Sequence, residues 1–351
     1  MIKDNATMVD TYILVPLYNV SISAKILNKT IHGYKFITSE CYFNELRPLF
    51  SQNFYMRKNV AIDEDLLQVQ LGAVSSRPKA SYLLVKKLKL PKSVDGKTYK
   101  IKEEELEKVY HDIVDFIIAC RLEKTGDIHI NTVHTISSSS YTALTLGIQT
   151  PTDYIWKTSD YYLRHKNLYE INEKDIKNIF KIKKQYTGVL KINEEIMFPI
   201  KYFMQYYSTS DIFDKIVKLA ISWESCILKD DKTELGFRLM IRTSALLKKD
   251  LSECLKLAYD MRSSIVHNGI LEDKHEKKLR KYFSSNEDTE VLLGTFVKEY
   301  LEEVTRQILK KIILKINKNK IRLKDVVTQI DQEIFESFSK KGSKQQQNKQ
   351  N

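Results

Sequence analysis

The sequence predicts an α+β protein in which a mixed, β-rich N-terminal domain is followed by an all-α helical bundle. Before residue 165, most segments are short, rich in β-branched and aromatic residues, and separated by Pro, Gly, Asn or Ser, which is typical of strands. After that point, apolar residues recur at helical spacing in long segments joined by short polar linkers. The length of 351 residues also exceeds the usual size of one hydrophobic core, which favours two domains.

The predicted N-terminal domain covers residues 1–165. Its helix is expected near 102–122, where Leu106, Val109 and Ile113 recur at helical spacing behind an acidic first turn. Strand composition marks the remaining segments, which are 11–20, 31–40, 66–74, 81–90, 125–136 and 141–148. This domain has no catalytic motif of its own, and we expect it to act as a sensor or regulatory domain.

The predicted helical domain covers residues 166–320 and is followed by a C-terminal helix within 321–339. Helices are expected at 172–186, 193–207, 211–229, 233–248, 251–268, 273–283, 290–317 and 325–338. Residues 340–351 form a polar, low-complexity segment for which the composition predicts disorder.

Composition excludes several classes of function. The ten glycines never take the spacing of a GxGxxG dinucleotide fingerprint or of a phosphate-binding P-loop. The four cysteines contain no CxxC pair, so neither a zinc ribbon nor a redox dithiol is indicated. The N-terminus has no export signal, and no apolar run is long enough to cross a bilayer. We therefore expect a cytoplasmic protein with no membrane association, no cofactor and no metal ion.

The segment with the clearest chemical potential contains Arg262 and His267. A guanidinium matches phosphate oxygens, and an imidazole can move a proton at a reacting hydroxyl. Five residues of helix correspond to about 500° of rotation, so the two side chains point about 140° apart. This separation suits a cleft in which the helix ends of two subunits meet. The spacing also occurs by chance, and His267 could simply interact favourably with the end of its helix.

Three ordered elements around this motif resemble the HEPN superfamily, and in particular its Apea-like domains. They are the apolar helix with Glu224 at Leu219–Leu228, the segment Phe237–Leu247 with Arg238 and Arg242, and the element Tyr259–Gly269. The resemblance covers about residues 170–317. One departure is visible, because Asn268 is inserted between His267 and Gly269.

The resemblance implies a helical bundle that dimerises and forms a metal-independent endoribonuclease of prokaryotic antiviral defence, toxin–antitoxin or abortive-infection type. His267 would be the acid/base residue and Arg262 the phosphate-binding residue, with Glu224, Ser263 and Asn268 in supporting roles. The partners would be RNA, with tRNA as one candidate, a second copy of the chain, and a phage-derived trigger sensed by the N-terminal domain. Glu224 could instead pair with Arg238 or Arg242 in a buried network.

Charge provides a further indication of an RNA partner, since the formal net charge of the chain is +12. Eight basic residues and no acidic residue lie between Arg306 and Lys324. Four of them are our candidate RNA-binding residues, namely Lys310, Lys311, Lys315 and Lys318. The same block is also compatible with a solvated helix face. Two alternatives to the enzyme stay open: a non-catalytic HEPN module that binds RNA or nucleotide, and a scaffold whose helices 290–317 and 325–338 dock a partner protein.

Overall fold

The computed structural model describes residues 8–41, 81–95, 98–101, 103–126, 128–130, 132–137, 143–147, 168–228 and 233–347. The chain forms two compact units, one of Met1–Arg121 with Gly126–Phe180 and the other of Leu122–Thr125 with Lys181–Asn351. An antiparallel sheet lies in the first unit and the second is helical, so the protein is α+β, as the sequence predicts. The division at residue 180 lies inside a helix, later than the change of composition at 165.

The described strands of the first unit are β1 Met8–Leu17, β2 Val20–Ile22, β3 Thr30–Ile31, β4 Tyr34–Thr38, β5 Tyr82–Asp95, β6 Thr98–Ile101, β7 Thr132–Ser137, β8 Ala143–Gly147 and β9 Tyr169–Ile171. Most of them form an antiparallel sheet in the order β3-β4-β5-β1-β7-β8, with β6 paired to the C-terminal end of β5. A separate parallel pair joins β2 to β9. The strand predicted at 66–74 lies outside the described residues.

The core of this unit lies around strand β1. Three successive residues of β1, Ile13, Leu14 and Val15, are at most 1% exposed, so both faces of the strand are covered. Helix α1, Glu103–Glu123, contributes the fully buried side chains of Ile113 and Phe116. This explains why the helix segment reads as strongly apolar although it lies in a strand-rich domain.

The second unit is built from helices whose bounds agree with the predicted ones to within a few residues, apart from a predicted 290–317 helix that is interrupted and a last helix that ends later. They are α2 Glu173–Leu190, which spans the boundary between the units, α3 Met197–Tyr206, α4 Ile212–Ile227, α5 Leu235–Leu247, α6 Ser252–Asn268, α7 Asp273–Phe283, α8 Thr289–Thr295, α9 Glu302–Asn319 and α10 Leu323–Gln347. A π-helical segment, Phe296–Leu301, separates α8 from α9. Helix α10 continues to Gln347, into the segment for which the composition predicts disorder.

The core of the second unit encloses a charged network as well as apolar side chains. Trp223 of α4 and Ile308 and Ile312 of α9 are at most 1% exposed. Beside them, Glu302 accepts hydrogen bonds from the hydroxyls of Tyr206 and Tyr207 at 2.8 and 2.7 Å and forms an ion pair with Arg306. Arg306, which belongs to the basic block of the sequence, is therefore an internal residue.

Membrane-spanning character is absent from the described helices. None of them combines the length and the apolar composition that crossing a bilayer requires.

Candidate functional site

Helix α6 carries both residues of the predicted Arg–His pair. Its start is stabilised by Asp250, whose carboxylate accepts hydrogen bonds from the amide and the hydroxyl of Ser252 at 3.0 and 2.6 Å. The helix buries Leu255, Ala258 and Met261, among others, on one face. It ends at Gly269, whose φ of +71° lies in the left-handed region that favours glycine.

Arg262 is anchored by Glu224 from the neighbouring helix α4. The Nη2 atom of Arg262 lies 3.3 Å from Oε2 of Glu224, and the two side chains are 26% and 16% exposed. The pairing of Glu224 with Arg242 that the sequence left open is not observed. Arg242 instead donates from Nε and Nη2 to the carboxylate of Asp331, at 2.8 Å each, and from Nη1 to the carbonyl of Ile227. Through this ion pair, Glu224 connects α4 to α6, the helix that carries the candidate catalytic residues.

The Glu224 carboxylate is largely buried, which makes its charged form energetically unfavourable. Burial raises its pKa above the ordinary carboxyl value, and the nearby Arg262 guanidinium offsets only part of this rise. Its Oε1 atom is buried and accepts no hydrogen bond from any described residue. Glu224 also borders a cavity of about 490 Å³ that Phe198 and Leu235 help to line. The anchor of Arg262 is thus next to a partly apolar opening in the helical unit.

His267 is in the last turn of α6, where its side chain is exposed. Helix geometry places it about 7.5 Å further along the axis than Arg262 and about 140° around it. Within the described residues, Arg262 and His267 form no hydrogen bond with each other. The neighbouring apolar side chains Val266 and Ile270 are 50% and 59% exposed. The chain therefore presents the two groups on different sides of a helix end with an apolar surface.

Hydrogen bonds from Ser264 and Asn268 stabilise the turn after His267, and of these two residues only Asn268 was predicted from the sequence. Ser264 donates to the carbonyl of Ile270 at 2.9 Å and lies 3.4 Å from Oε1 of Glu272. Asn268, predicted as a supporting residue, donates from Nδ2 to the same oxygen at 3.0 Å. Ser263, the other predicted neighbour, is partly exposed beside Arg262. Asn268 thus helps to fix the helix end, whereas Ser264 and Glu272 give no signal in the sequence beyond their closeness to the motif.

The predicted RNA-binding lysines of α9 differ in their surroundings. Lys310 pairs with Glu123 at 3.0 Å, and Lys315 pairs with Glu333 at 2.5 Å. Lys311 and Lys318 are exposed. With Arg306 buried, the block presents less positive charge to solvent than its composition indicates.

Comparison with family models, with curated proteins and with solved structures finds no match for this chain. Within the described ranges, no group of three or more His, Cys, Asp or Glu side chains is arranged to hold a metal ion. The candidate site therefore consists of Arg262, Glu224 and His267 with the turn that follows them.

Proposed function

We propose that the protein is a HEPN-type endoribonuclease that cleaves RNA without a metal ion. The observation that supports this best is the placement of Arg262, anchored by Glu224 and still 26% exposed, on the helix whose last turn presents His267 to solvent. A fixed guanidinium suits a phosphate group, and an exposed imidazole suits proton transfer near neutral pH.

In the proposed reaction, His267 removes the proton from a ribose 2′-hydroxyl, and the resulting oxygen attacks the adjacent phosphorus. Arg262 stabilises the negative charge that develops on the phosphoryl oxygens. The bond to the 5′-oxygen breaks, and this oxygen takes a proton from the imidazolium of a second copy. The products are a 2′,3′-cyclic phosphate and a 5′-hydroxyl end, so all atoms and protons balance.

A homodimer through the helical unit is part of this proposal. The angle of about 140° between Arg262 and His267 prevents one helix end from directing both groups at one phosphate. Three large apolar side chains of α5, α6 and the turn after α6 are at least half exposed, namely Phe237 at 58%, Val266 at 50% and Ile270 at 59%. Contact with a second copy would cover such side chains and bring two Arg–His pairs together.

The biological setting is proposed on the HEPN resemblance alone. It is prokaryotic antiviral defence of the abortive-infection type, with cytoplasmic RNA as substrate and tRNA as one candidate. The first unit would hold the activity in check until it senses a phage-derived trigger.

The second candidate is a HEPN module that binds RNA or nucleotide without cleaving it. The ion pair between Arg262 and Glu224 favours it, because a guanidinium that is already paired can serve the packing of α4 against α6. In that case the exposed His267 would only interact with the helix end.

The deciding experiment is RNA cleavage by the purified full-length protein in excess EDTA, with total tRNA and a structured RNA as substrates. We expect 5′-hydroxyl ends, and a loss of about 100-fold or more in rate for both His267→Ala and Arg262→Ala. The matched control is His111→Ala, which removes an exposed histidine from α1 of the first unit and should leave the rate unchanged.

Cleavage that persists in both variants would show that the site is elsewhere. If wild-type protein is inactive in the tube, the same variants are expressed in a bacterial host and growth is measured. Toxicity that disappears with His267→Ala supports the ribonuclease. Equal growth of all variants overturns it in favour of the binding module.

A further inference from the structure

A groove between helices α6 and α7 combines positive charge with an apolar floor. Its cavity measures about 420 Å³. It is lined by Glu253, Lys256, Leu257 and Asp260 of α6 and by Lys278, Lys281 and Tyr282 of α7, among others, so three lysines face two carboxylates. This volume is in the range of small-ligand sites. We call it the lysine groove. It lies within the second unit, and the sequence analysis did not identify it.

The lysine groove lies on the face of α6 that carries His267. Asp260, at one edge of the groove, precedes His267 by seven residues. Seven residues correspond to about 700° of rotation, only about 20° short of two full turns, and to an advance of about 10.5 Å. Arg262, two residues after Asp260, is about 160° away from this line. The groove therefore lies on the side of α6 that carries the proposed acid/base residue His267, and not on the side of Arg262 and its anchor Glu224.

Helix α7 carries a stripe of lysines, of which Lys278 and Lys281 line the groove. Lys274, Lys277, Lys278 and Lys281 recur at the spacing of neighbours on one helix face, and all are exposed. Lys278 pairs with Asp260 at 2.8 Å, and Lys274 pairs with Glu272 at 2.6 Å. By contrast, within the described part of the chain, Lys256, Lys277 and Lys281 form no ion pair. Of these three cations, Lys256 and Lys281 line the groove and remain available to an anionic ligand there.

The floor of the groove includes an aromatic ring that its neighbours hold in place. Tyr282 makes edge-to-face contacts with Phe283, Phe296 and Tyr300, with ring centroids 5.3 to 5.6 Å apart. Leu257 adds an apolar side chain next to it. An unpaired base can stack on such a ring, whereas the bases of a duplex are already stacked on one another.

We propose that the lysine groove binds single-stranded RNA on the approach to His267, with its phosphates on Lys256 and Lys281 and a base against Tyr282. The inference rests on the proposed function, since it assigns the substrate path of that site. It also moves the main RNA contact from the α9 lysines, two of which are ion-paired, to α6 and α7.

The test measures binding separately from cleavage. A short fluorescent 2′-O-methyl oligonucleotide, which lacks the attacking hydroxyl, is titrated with the full-length protein in EDTA, and the dissociation constant is obtained by fluorescence anisotropy over a range of salt. The groove variant is Lys256→Ser/Lys281→Ser. The matched control is Lys191→Ser/Lys201→Ser, which removes the same charge from exposed positions elsewhere in the second unit.

We expect the groove variant to bind at least about tenfold more weakly and to reduce the slope of log K against log salt by about 1.4, since about two phosphate contacts are lost. The control variant should bind within about twofold of wild type. The same oligonucleotide annealed to its complement should bind more weakly than the single strand. Circular dichroism of both variants checks that they fold.

Equal weakening by the two double variants would overturn the inference, as would a stronger effect of the control pair or the absence of wild-type binding. The binding and cleavage measurements distinguish a failure of the groove proposal from a failure of the ribonuclease proposal. Binding through the groove without any cleavage would uphold the groove and count against the ribonuclease, and cleavage that is unaffected by the groove variant would do the reverse.

Discussion

Two Arg–Glu pairs in the second unit have the same chemistry and different surroundings. The side chains of Arg306 and Glu302 are 1% and 4% exposed, whereas those of Arg262 and Glu224 are 26% and 16% exposed. In the first pair, the hydroxyls of Tyr206 and Tyr207 complete the hydrogen bonding of the carboxylate inside the protein. In the second pair, one carboxylate oxygen has no partner among the described residues, and part of the arginine faces solvent.

The comparison shows two roles that an ion pair can have, namely stabilising the packing of the core and positioning a charged group for a ligand. A fully enclosed pair has no room for another group, so its removal leaves an uncompensated charge in the core. A pair at an edge holds the guanidinium in one position while leaving it accessible to a phosphate. Arg262 therefore fits a ligand-binding role that Arg306 cannot have.

The largest effect is expected for Arg306→Met. It leaves the buried Glu302 without its cation, so the free energy of unfolding should fall by about 3–5 kcal/mol. Urea denaturation followed by circular dichroism measures the change. The matched control is Arg322→Met at an exposed position, for which we expect a change within about 0.5 kcal/mol. A loss as small as that of the control would mean that the core tolerates the unpaired carboxylate.

A smaller loss of stability is expected for Arg262→Met, about 1–2 kcal/mol, because both partners keep some contact with water. RNA cleavage should nevertheless be abolished at temperatures where the variant is fully folded. Urea denaturation and the cleavage assay are carried out on the same preparation. A loss of stability equal to that of Arg306→Met, with cleavage retained, would place both pairs in a structural role.

The smallest effect is expected in the pH dependence of stability at Glu224. Burial raises its pKa, so above the ordinary carboxyl value the folded protein keeps a proton that the unfolded chain releases. The free energy of unfolding should therefore fall as pH rises from that ordinary value through the raised one, by at most about 1.4 kcal/mol per pH unit.

Glu224→Gln should remove this decrease, which urea denaturation at several pH values across the window can detect. The exposed Glu290→Gln serves as control and should keep the wild-type pH profile. A Glu224→Gln profile identical to that of the wild type would show that the carboxylate is less enclosed than its surroundings indicate.

The helices were predictable because their signals are local. Helix α7 has the predicted bounds 273–283, and α6 begins one residue after the predicted start. Acidic first turns, apolar periodicity and the glycine at 269 are properties of a short stretch of chain. The π-helical segment Phe296–Leu301 was not predictable, since its apolar residues satisfy the pattern of an uninterrupted helix equally well.

The sequence analysis identified Arg262, Glu224 and His267 as site residues, but it did not predict which side chains they contact. Glu224 was expected to have an arginine nearby, but the choice between Arg238, Arg242 and Arg262 depends on how α4 packs against α5 and α6. The burial of Arg306 and the pairing of Lys310 and Lys315 likewise depend on residues far away in the chain. A count of charges along the sequence could therefore not show that part of the basic block is internal or neutralised.

The residues of the candidate site, from Glu224 to Tyr282, all lie in one uninterrupted stretch of the second unit. Of the other helices, α3 and α7 to α10 also follow residue 180, and α2 begins at Glu173 and crosses the division. A genetic recombination event just before α2 would give the complete set of site residues to a different N-terminal region. Such an arrangement would let the N-terminal region change while the residues that we propose to act on RNA are inherited together.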